Sequence, residues 1–476
     1  MGRNGSLGNN MKKWIGLLGL CAWTAQAEVT LAPAFSDYMV LQRGAVAPVW
    51  GTAKPGEKVT VEFAGQTKRT VAGEDGRWRV RLDAINDTTV AGGLKVTGEN
   101  ILLIKGVLVG EVWFASGQSN MAMTVSRCRD FEKEQTAAKF PHIRMFITGR
   151  SAQLQPQTGC AGKWWICSPE TVGNFSGTAY FFARALHEQL KVPVGIIHSS
   201  WGGTSIEAWT SWEAQQNDKR LSMVYKPWQN KPKANQNKPG NLFNGMVNPH
   251  IPYGIRGAIW YQGERNSRQI SFAKVYSIQL PMMINDWRRR WGQGDFPFLW
   301  AQLPNFKAVN PDPNAPSVWA HTRESMAKTL ALPNTGMATT IDIGEARDIH
   351  PKNKQDVGRR LANWALAEFY NQEDVPTTGP MYANHKIKGA TVRVQLRYAA
   401  GLKAKAGDAV TGFVLAGADK VFHPATAVVT EDNFVEVTSK AVAKPVALRY
   451  GWADNPVVNL VNQHNLPATP FRTDDW

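Results

Sequence analysis

From Val46 to Thr97 apolar and polar residues alternate in short runs: Val46–Thr52, Lys58–Phe63, Arg77–Leu82 and Leu94–Thr97. A period of two buries one side of each run and leaves the other in water, as half-covered strands require. Pro55-Gly56, Gly65-Gln66, Asp75-Gly76 and Gly92-Gly93 punctuate them as turns. Residues 28–106 are therefore predicted to be an N-terminal β-sandwich or jelly-roll-like module. The pattern changes at Val107. Val107–Ala115 is almost continuously apolar, as suits a strand covered on both faces. Val192–Ser199, Arg256–Tyr261, Phe296–Gln302 and Gly336–Asp342 read as further strands. Phe181, Phe182, Ala185, Leu186 and Leu190 recur at helical spacing and predict a helix over Thr178–Leu190. Ala273–Trp291 (despite Pro281), His321–Leu332 and Pro351–Tyr370 read as helices too, the last with Pro351 at its start. Strands alternating with helices imply a parallel α/β sheet over 107–376. After Thr377 the helices stop. Thr391–Leu396, Gly412–Leu415, Phe434–Val437 and Val446–Tyr450 predict a β-rich region over 377–476.

The first 27 residues follow another rule. Met11-Lys12-Lys13 precedes an apolar run from Trp14 to Trp23, and Ala25-Gln26-Ala27 fits small-residue cleavage. This reads as a secretory signal over 1–27, and the run is too short to span a bilayer. The mature chain is expected to be exported, periplasmic or extracellular, without a membrane span. A composition of 43% hydrophobic and 19% charged residues excludes a mainly disordered chain. The formal charge is +16, and removal of Arg3, Lys12 and Lys13 leaves +13. No nucleic-acid-binding motif accompanies that charge, so no nucleic-acid partner is expected. The densest basic stretch, Lys219–Lys238, is diluted by Pro, Asn and Gln like a solvated loop. Cys160 and Cys167 lie close enough in sequence for a disulfide, with Cys128 left over, or all three are packed thiols; export permits either. No Cys/His spacing suggests a metal site.

In open α/β sheets ligands bind beyond the carboxyl ends of the strands. Four of these strands are followed by polar or glycine-bearing clusters: Ser116-Gly-Gln-Ser-Asn-Met121, Ser199-Ser-Trp-Gly-Gly-Thr204, Gln262-Gly-Glu-Arg265 and Gly344-Glu-Ala-Arg-Asp-Ile-His-Pro351. Ser119 on a tight turn meets the needs of a nucleophile. Asp348-x-His350 supplies a base and the acid that orients it. The Ser119 N–H, the Gly203 N–H and the Gln262 amide are suitable donors to an oxyanion. Each feature alone has a plainer reading as a turn or a buried hydrogen-bonding group. Their joint placement points to a serine hydrolase. The other histidines, including His198 and His250, read as structural. Trp201, Trp209 and Trp260 either shape a sugar pocket or pack the core.

The same segments carry a resemblance. Gly117–Met121, Trp201–Thr204, Trp260–Glu264 and Asp348–Pro351 are similar to the sialate O-acetylesterase family of SGNH-type hydrolases. So are Met39–Arg43, Pro48–Gly51, Val109–Trp113 and Leu466–Thr473. The resemblance implies a flavodoxin-like α/β core with β-rich accessory regions and cleavage of acetyl esters on sugars, without metal or cofactor. It implies Ser119 as nucleophile, His350 as base and Asp348 as its acid, with Gly203 and Gln262 beside the Ser119 amide in the oxyanion hole. Arg347 stands where many SGNH enzymes carry the acid, and Gln262 where they carry Asn. The segment Ala122–Val125 lacks the Glu expected after the nucleophile. An acetyl xylan or other hemicellulose esterase on the same scaffold is the nearest alternative. A non-catalytic glycan-binding protein is the alternative from another class.

Overall fold

The computed structural model describes residues 28–407 and 409–476, so the leader read at 1–27 lies outside the described residues. A mixed sheet forms the core. Its strands in chain order are β1 (Ile101–Gly117), β2 (Ile143–Thr148), β3 (Gly162–Ile166), β4 (Val194–Ser200), β5 (Gly257–Tyr261), β6 (Phe298–Ala301) and β7 (Thr335–Ala338). They lie in the order β7-β6-β5-β1-β4-β2-β3. All neighbours run parallel except the edge strand β3, which runs antiparallel to β2. The chain leaves β1 towards β4 and β2 on one side and β5 on the other, so β1 stands where the winding reverses. Crevices at such points bind ligands.

β1 crosses the boundary drawn at 106/107 without a linker. Its first six residues alternate exposed and half-buried, and pair antiparallel with the module strand Ala91–Thr97. From Val107 to Gly117 every residue is buried, and Trp113–Gly117 pair with β4 on one side and β5 on the other. Glu111 fastens the junction. Its buried carboxylate accepts from Arg43 Nε (2.5 Å), Gln42 Nε2 (3.1 Å), Arg256 Nε (2.9 Å) and Tyr370 OH (2.8 Å).

The helices that matter for the site are α1 (Ser119–Ala122), α2 (Gly177–Leu190), α3 (Ile270–Trp291), α4 (Val318–Lys328) and α5 (Lys354–Phe369). Trp113 and Phe114 point to opposite faces of β1, as successive strand residues must. Trp113 meets Phe182 of α2 at 4.9 Å, and Phe114 meets Trp287 of α3 at 5.5 Å, so each face of the sheet is covered by helix. Pro351 does not begin α5. The helix starts at Lys354, capped by Asn353, whose Oδ1 accepts from Asp356 N at 3.1 Å.

The C-terminal region is β-rich, with its own buried cluster of Val392, Val394, Phe413, Leu415, Val435 and Leu448 among others. Arg323 of α4 ties it to the core. Its guanidinium is buried and donates to the carbonyls of Leu303, Pro304, Ala453 and Asp454.

The disulfide between Cys160 and Cys167 does not form, and Cys128 is also free. Cys160 and Cys167 flank opposite ends of the extended strand β3. At about 3.3 Å per residue they stand roughly 20 Å apart, far beyond the Cα separation of about 7 Å that a bridge tolerates. Cys160 Sγ instead lies 3.8 Å from His250 Nε2, and Cys167 Sγ 3.8 Å from the Ala138 carbonyl. Burial pushes all three thiols up to about 12, which leaves them protonated and inert. Among the described residues no helix is long and apolar enough to cross a membrane.

Candidate active site

The Ser119 turn is built at the end of β1. Gly117 has φ +142°, and a Cβ there would stand 2.1 Å from the Tyr261 carbonyl oxygen, so only glycine lets β1 and β5 close up. The Gln118 N–H then donates to that carbonyl at 2.9 Å, and the chain turns into α1. The start of α2 holds the turn from below: Ser176 Oγ donates to Met121 O (2.6 Å) and Thr178 Oγ1 to Asn120 O (3.2 Å). Ser119 itself is half-buried, and among the described residues its hydroxyl and its N–H have no hydrogen-bond partner.

Gly202 abuts it: a Cβ at 202 would lie 3.3 Å from Ser119 Cβ. Gly203 follows with φ +71°, exposed, with open space where a side chain would project. The N–H groups of Gly202 and Gly203 are also unspent among the described residues. Unspent amides beside a hydroxyl are what an acyl-transfer oxyanion needs.

His350 and Asp348 share one loop. His350 Nδ1 lies 3.4 Å from Asp348 Oδ1, and the His350 N–H donates to the same oxygen at 2.9 Å. Burial, with the nearby Lys354 and Arg127 cations, holds the imidazole below the ordinary 6.5 against the opposing pull of Asp348. Asp348 is held below the usual carboxylate range, first by the His350 N–H bond. His350 is thus neutral near pH 7, the form a general base requires.

The two loops meet through Asn120. Its Nδ2 donates to the carbonyl of Ile349, beside His350, at 3.0 Å, and to Glu264 Oε1 at 2.5 Å. Its Oδ1 accepts from Lys354 Nζ at 2.8 Å, and the same ammonium donates to the Pro351 carbonyl at 2.5 Å. Glu264 and Lys354 are both buried. Burial pushes the Glu264 carboxyl up, opposed by Asn120, and pulls Lys354 down to about 8. Asn120 and Lys354 carried no role in the sequence reading. One sign was available: a lysine in the first turn of a helix sits where the helix dipole disfavours a cation.

Gln262 differs from expectation. It is fully buried, and its Nε2 faces Asn266 Oδ1 (2.8 Å), Thr204 O (3.0 Å) and Gln118 Oε1 (3.2 Å). Its Oε1 accepts from Tyr276 OH at 2.9 Å. Two amide hydrogens meet three acceptors, one of them a backbone carbonyl, so none is left for an oxyanion. Gln262 braces the Thr204 loop instead. The adjoining network continues through Asn266 Nδ2 to the buried carboxylate of Glu207 at 3.0 Å.

Trp209 and Trp260 are core residues, fully buried, with rings 6.0 Å apart. Their N–H groups are taken by Thr204 Oγ1 and Tyr276 OH. Only Trp201 remains at the rim, with the exposed Arg150 guanidinium 5.9 Å from its ring. His198 and His250 are buried, held neutral at about 4 and about 3 by burial, and bonded to Ser200 and Thr148.

Residues 109–367 match the carbohydrate esterase family described as sialic acid-specific acetylesterase. The chain belongs to this family. Members are carboxylic ester hydrolases, and this chain is one. It is 28% identical to the sialate O-acetylesterase of Mus musculus, across 91% of this chain and 92% of that protein. The Homo sapiens enzyme of the same name is also 28% identical, across 96% of this chain and 95% of that protein. A solved carbohydrate acetylesterase from Xanthomonas citri is 40% identical and superposes with a TM-score of 0.86, over 94% of this chain and all of that one. As a member of this esterase family the chain has a mixed α/β core with a β-rich C-terminal region, as that structure supports.

Proposed function

We propose that the protein is a serine-dependent carbohydrate O-acetylesterase of the SGNH type, with sialate O-acetyl esters as its substrates. The observation that carries the mechanism is the single amide of Asn120. It joins the turn of Ser119 to the loop of Asp348 and His350. Ser119 Oγ attacks the acetyl carbonyl as His350 takes its proton, and Asp348 holds the imidazole. The N–H groups of Ser119, Gly202 and Gly203 receive the negative charge of the tetrahedral intermediate. The carbon–oxygen bond to the sugar breaks, and His350 protonates the departing alkoxide. Water then attacks the acetyl-enzyme, with His350 again as base, and releases acetate and free Ser119.

The sugar has room beside this centre. A cavity of about 250 Å³ is lined by Ser205, Trp228, Arg265, Asn266, Arg268 and Phe272, among others. The Arg265 N–H reaches Gln118 Oε1 at 3.2 Å, which puts this wall next to the Ser119 turn. Among the described residues neither Arg265 nor Arg268 is paired with a carboxylate. Unspent guanidiniums favour an acidic sugar over a neutral one. A larger cavity, about 690 Å³, lies between the N-terminal strands and Ile251–Pro252; neither cavity's lining contains Ser119, Asp348 or His350, and the smaller one is favoured because Arg265 ties it to the Ser119 turn.

The Xanthomonas citri relative is described as a carbohydrate acetylesterase without a sialate, which leaves room for a second reading: an acetyl xylan or other hemicellulose esterase on the same scaffold. Acetate release from O-acetylated sialic acid and from acetylated xylan, compared on one preparation, decides between them. Preference for the sialate supports the first reading, and preference for xylan rejects it. Ser119→Ala, folded and assayed on 4-nitrophenyl acetate, tests the chemistry itself: lost turnover supports Ser119 as nucleophile, and retained turnover rejects it; a wild-type protein without turnover would instead favour a non-catalytic glycan-binding protein.

A further inference from the structure

We infer that Lys354 is a positioning residue for the hydrolysis, holding the His350 loop against the Ser119 turn through Asn120. The inference rests on the roles proposed above for Ser119 and His350. Lys354 Nζ has two partners, Asn120 Oδ1 and the Pro351 carbonyl, one on each loop. Asn120 returns a second tie to the His350 loop through Ile349 O. Its amide cannot turn over, because an ammonium faces its oxygen and the Glu264 carboxylate faces its nitrogen.

Stability alone gives a poor account of this lysine. It is fully buried, where an ammonium loses its hydration. It is also the first residue of α5, where the helix dipole opposes a cation. An apolar side chain of similar length would fill the space without either penalty. What it could not do is reach two carbonyl oxygens on different loops.

A second consequence follows from charge. Lys354 faces Cys128, Glu264, Glu345 and Asp348, with its Nζ 5.5 Å from the Tyr261 ring centre. His350 faces Asp348, Lys354 and Arg127. A cation beside the imidazole favours its neutral form. Removing the ammonium therefore makes protonated His350 cheaper, and the pH at which it becomes a base must rise.

The test is kcat and KM against pH on 4-nitrophenyl acetate for wild type, Lys354→Met and Asn120→Ala, with folding checked by thermal melting. In Lys354→Met, kcat is expected to fall roughly 10- to 100-fold, the scale of a displaced catalytic group, with KM within about twofold. Its acid limb moves to higher pH. In Asn120→Ala, kcat falls while the acid limb stays, because the ammonium remains. A folded Lys354→Met with wild-type kcat and an unmoved acid limb overturns the inference. Should Lys354→Met not fold, NMR titration of His350 in wild type and in Lys354→Gln, which is neutral but still a donor, keeps the test alive: a higher midpoint and a lowered kcat in the variant are expected, and wild-type values of both overturn the inference. Activity surviving in Ser119→Ala would instead overturn the reading of Ser119, whatever the titration gave.

Discussion

His350 and Asp348 leave 29% and 45% of their side chains in solvent and approach to only 3.4 Å. Asn120, Glu264 and Lys354 are buried and joined at 2.5 and 2.8 Å. The chemistry and its support are thus built differently. A nucleophile and base need unspent hydrogen-bonding capacity until substrate arrives, and Ser119 Oγ has no partner among the described residues. The supporting groups are largely spent, since an unpaired polar group in the interior is costly, and Glu264 Oε2 is the exception among these three residues. Substitutions should therefore separate into two kinds. Changes to the exposed groups should cost rate at little cost in stability. Changes to the buried ones should cost stability, least for Lys354→Met because its ammonium is itself costly to bury, and rate only where they hold the loops.

The largest expected effect is on the exposed side. Ser119→Ala should lower kcat on the order of 10⁶-fold with an unchanged melting temperature. Asp348→Asn comes next, with a loss of roughly 10²–10⁴, because the imidazole loses the partner that orients it. If Asp348→Asn kept wild-type kcat/KM while Asp342→Asn or Glu345→Gln lost it, the acid would be misassigned. The pH profile sharpens the comparison further. kcat/KM should rise through one ionisation with a midpoint below 6.5, since burial and the two flanking cations outweigh Asp348. A midpoint above 6.5 would mean that Asp348 dominates.

How far the sequence carried these assignments depends on the kind of signal. The buried strands after Val107 were legible because a strand covered on both faces cannot hide its apolar run. β2 was missed because Arg144 interrupts it. That guanidinium is buried and donates to the Tyr38 and Gly106 carbonyls, a pairing no local pattern announces. β3, an edge strand of Lys163, Trp164 and Trp165 between glycine and isoleucine, was not predicted, because so short a run shows no clear alternation. Ser119, Asp348 and His350 were legible from residue type and place at strand ends. The direction of the Gln262 amide was not, because Thr204, Asn266 and Gln118 reach it from three separate loops. Lys354 was hidden by the length of its helix, which makes a lysine look like a surface residue.

Gln262 and the tryptophans supply the smaller tests. Gln262→Ala strands a backbone carbonyl and three side-chain partners, and should cost about 1–3 kcal/mol of stability. Its kcat, measured on the folded fraction, should stay within about tenfold of wild type, short of the 10²–10³ typical of a lost oxyanion donor. A larger fall in kcat with an unchanged melting temperature would restore Gln262 to the oxyanion hole. Trp260→Ala should destabilise by about 3–5 kcal/mol, as for large core truncations. Trp201→Ala, at the rim, should leave the melting temperature within a few degrees and raise KM for the acetylated sugar. The reverse pattern would exchange their assignments.

The central claim is that an acetyl group passes through Ser119. The most direct measurement is mass spectrometry of peptides from His350→Ala protein quenched in acid after exposure to a large excess of 4-nitrophenyl acetate. Loss of the base slows both steps, but an activated ester still acylates while its hydrolysis lacks the general base. The account predicts acetyl on the peptide containing Ser119, and none there when Ser119→Ala is combined with His350→Ala. Acetyl confined to another residue, equally in both proteins, would contradict it.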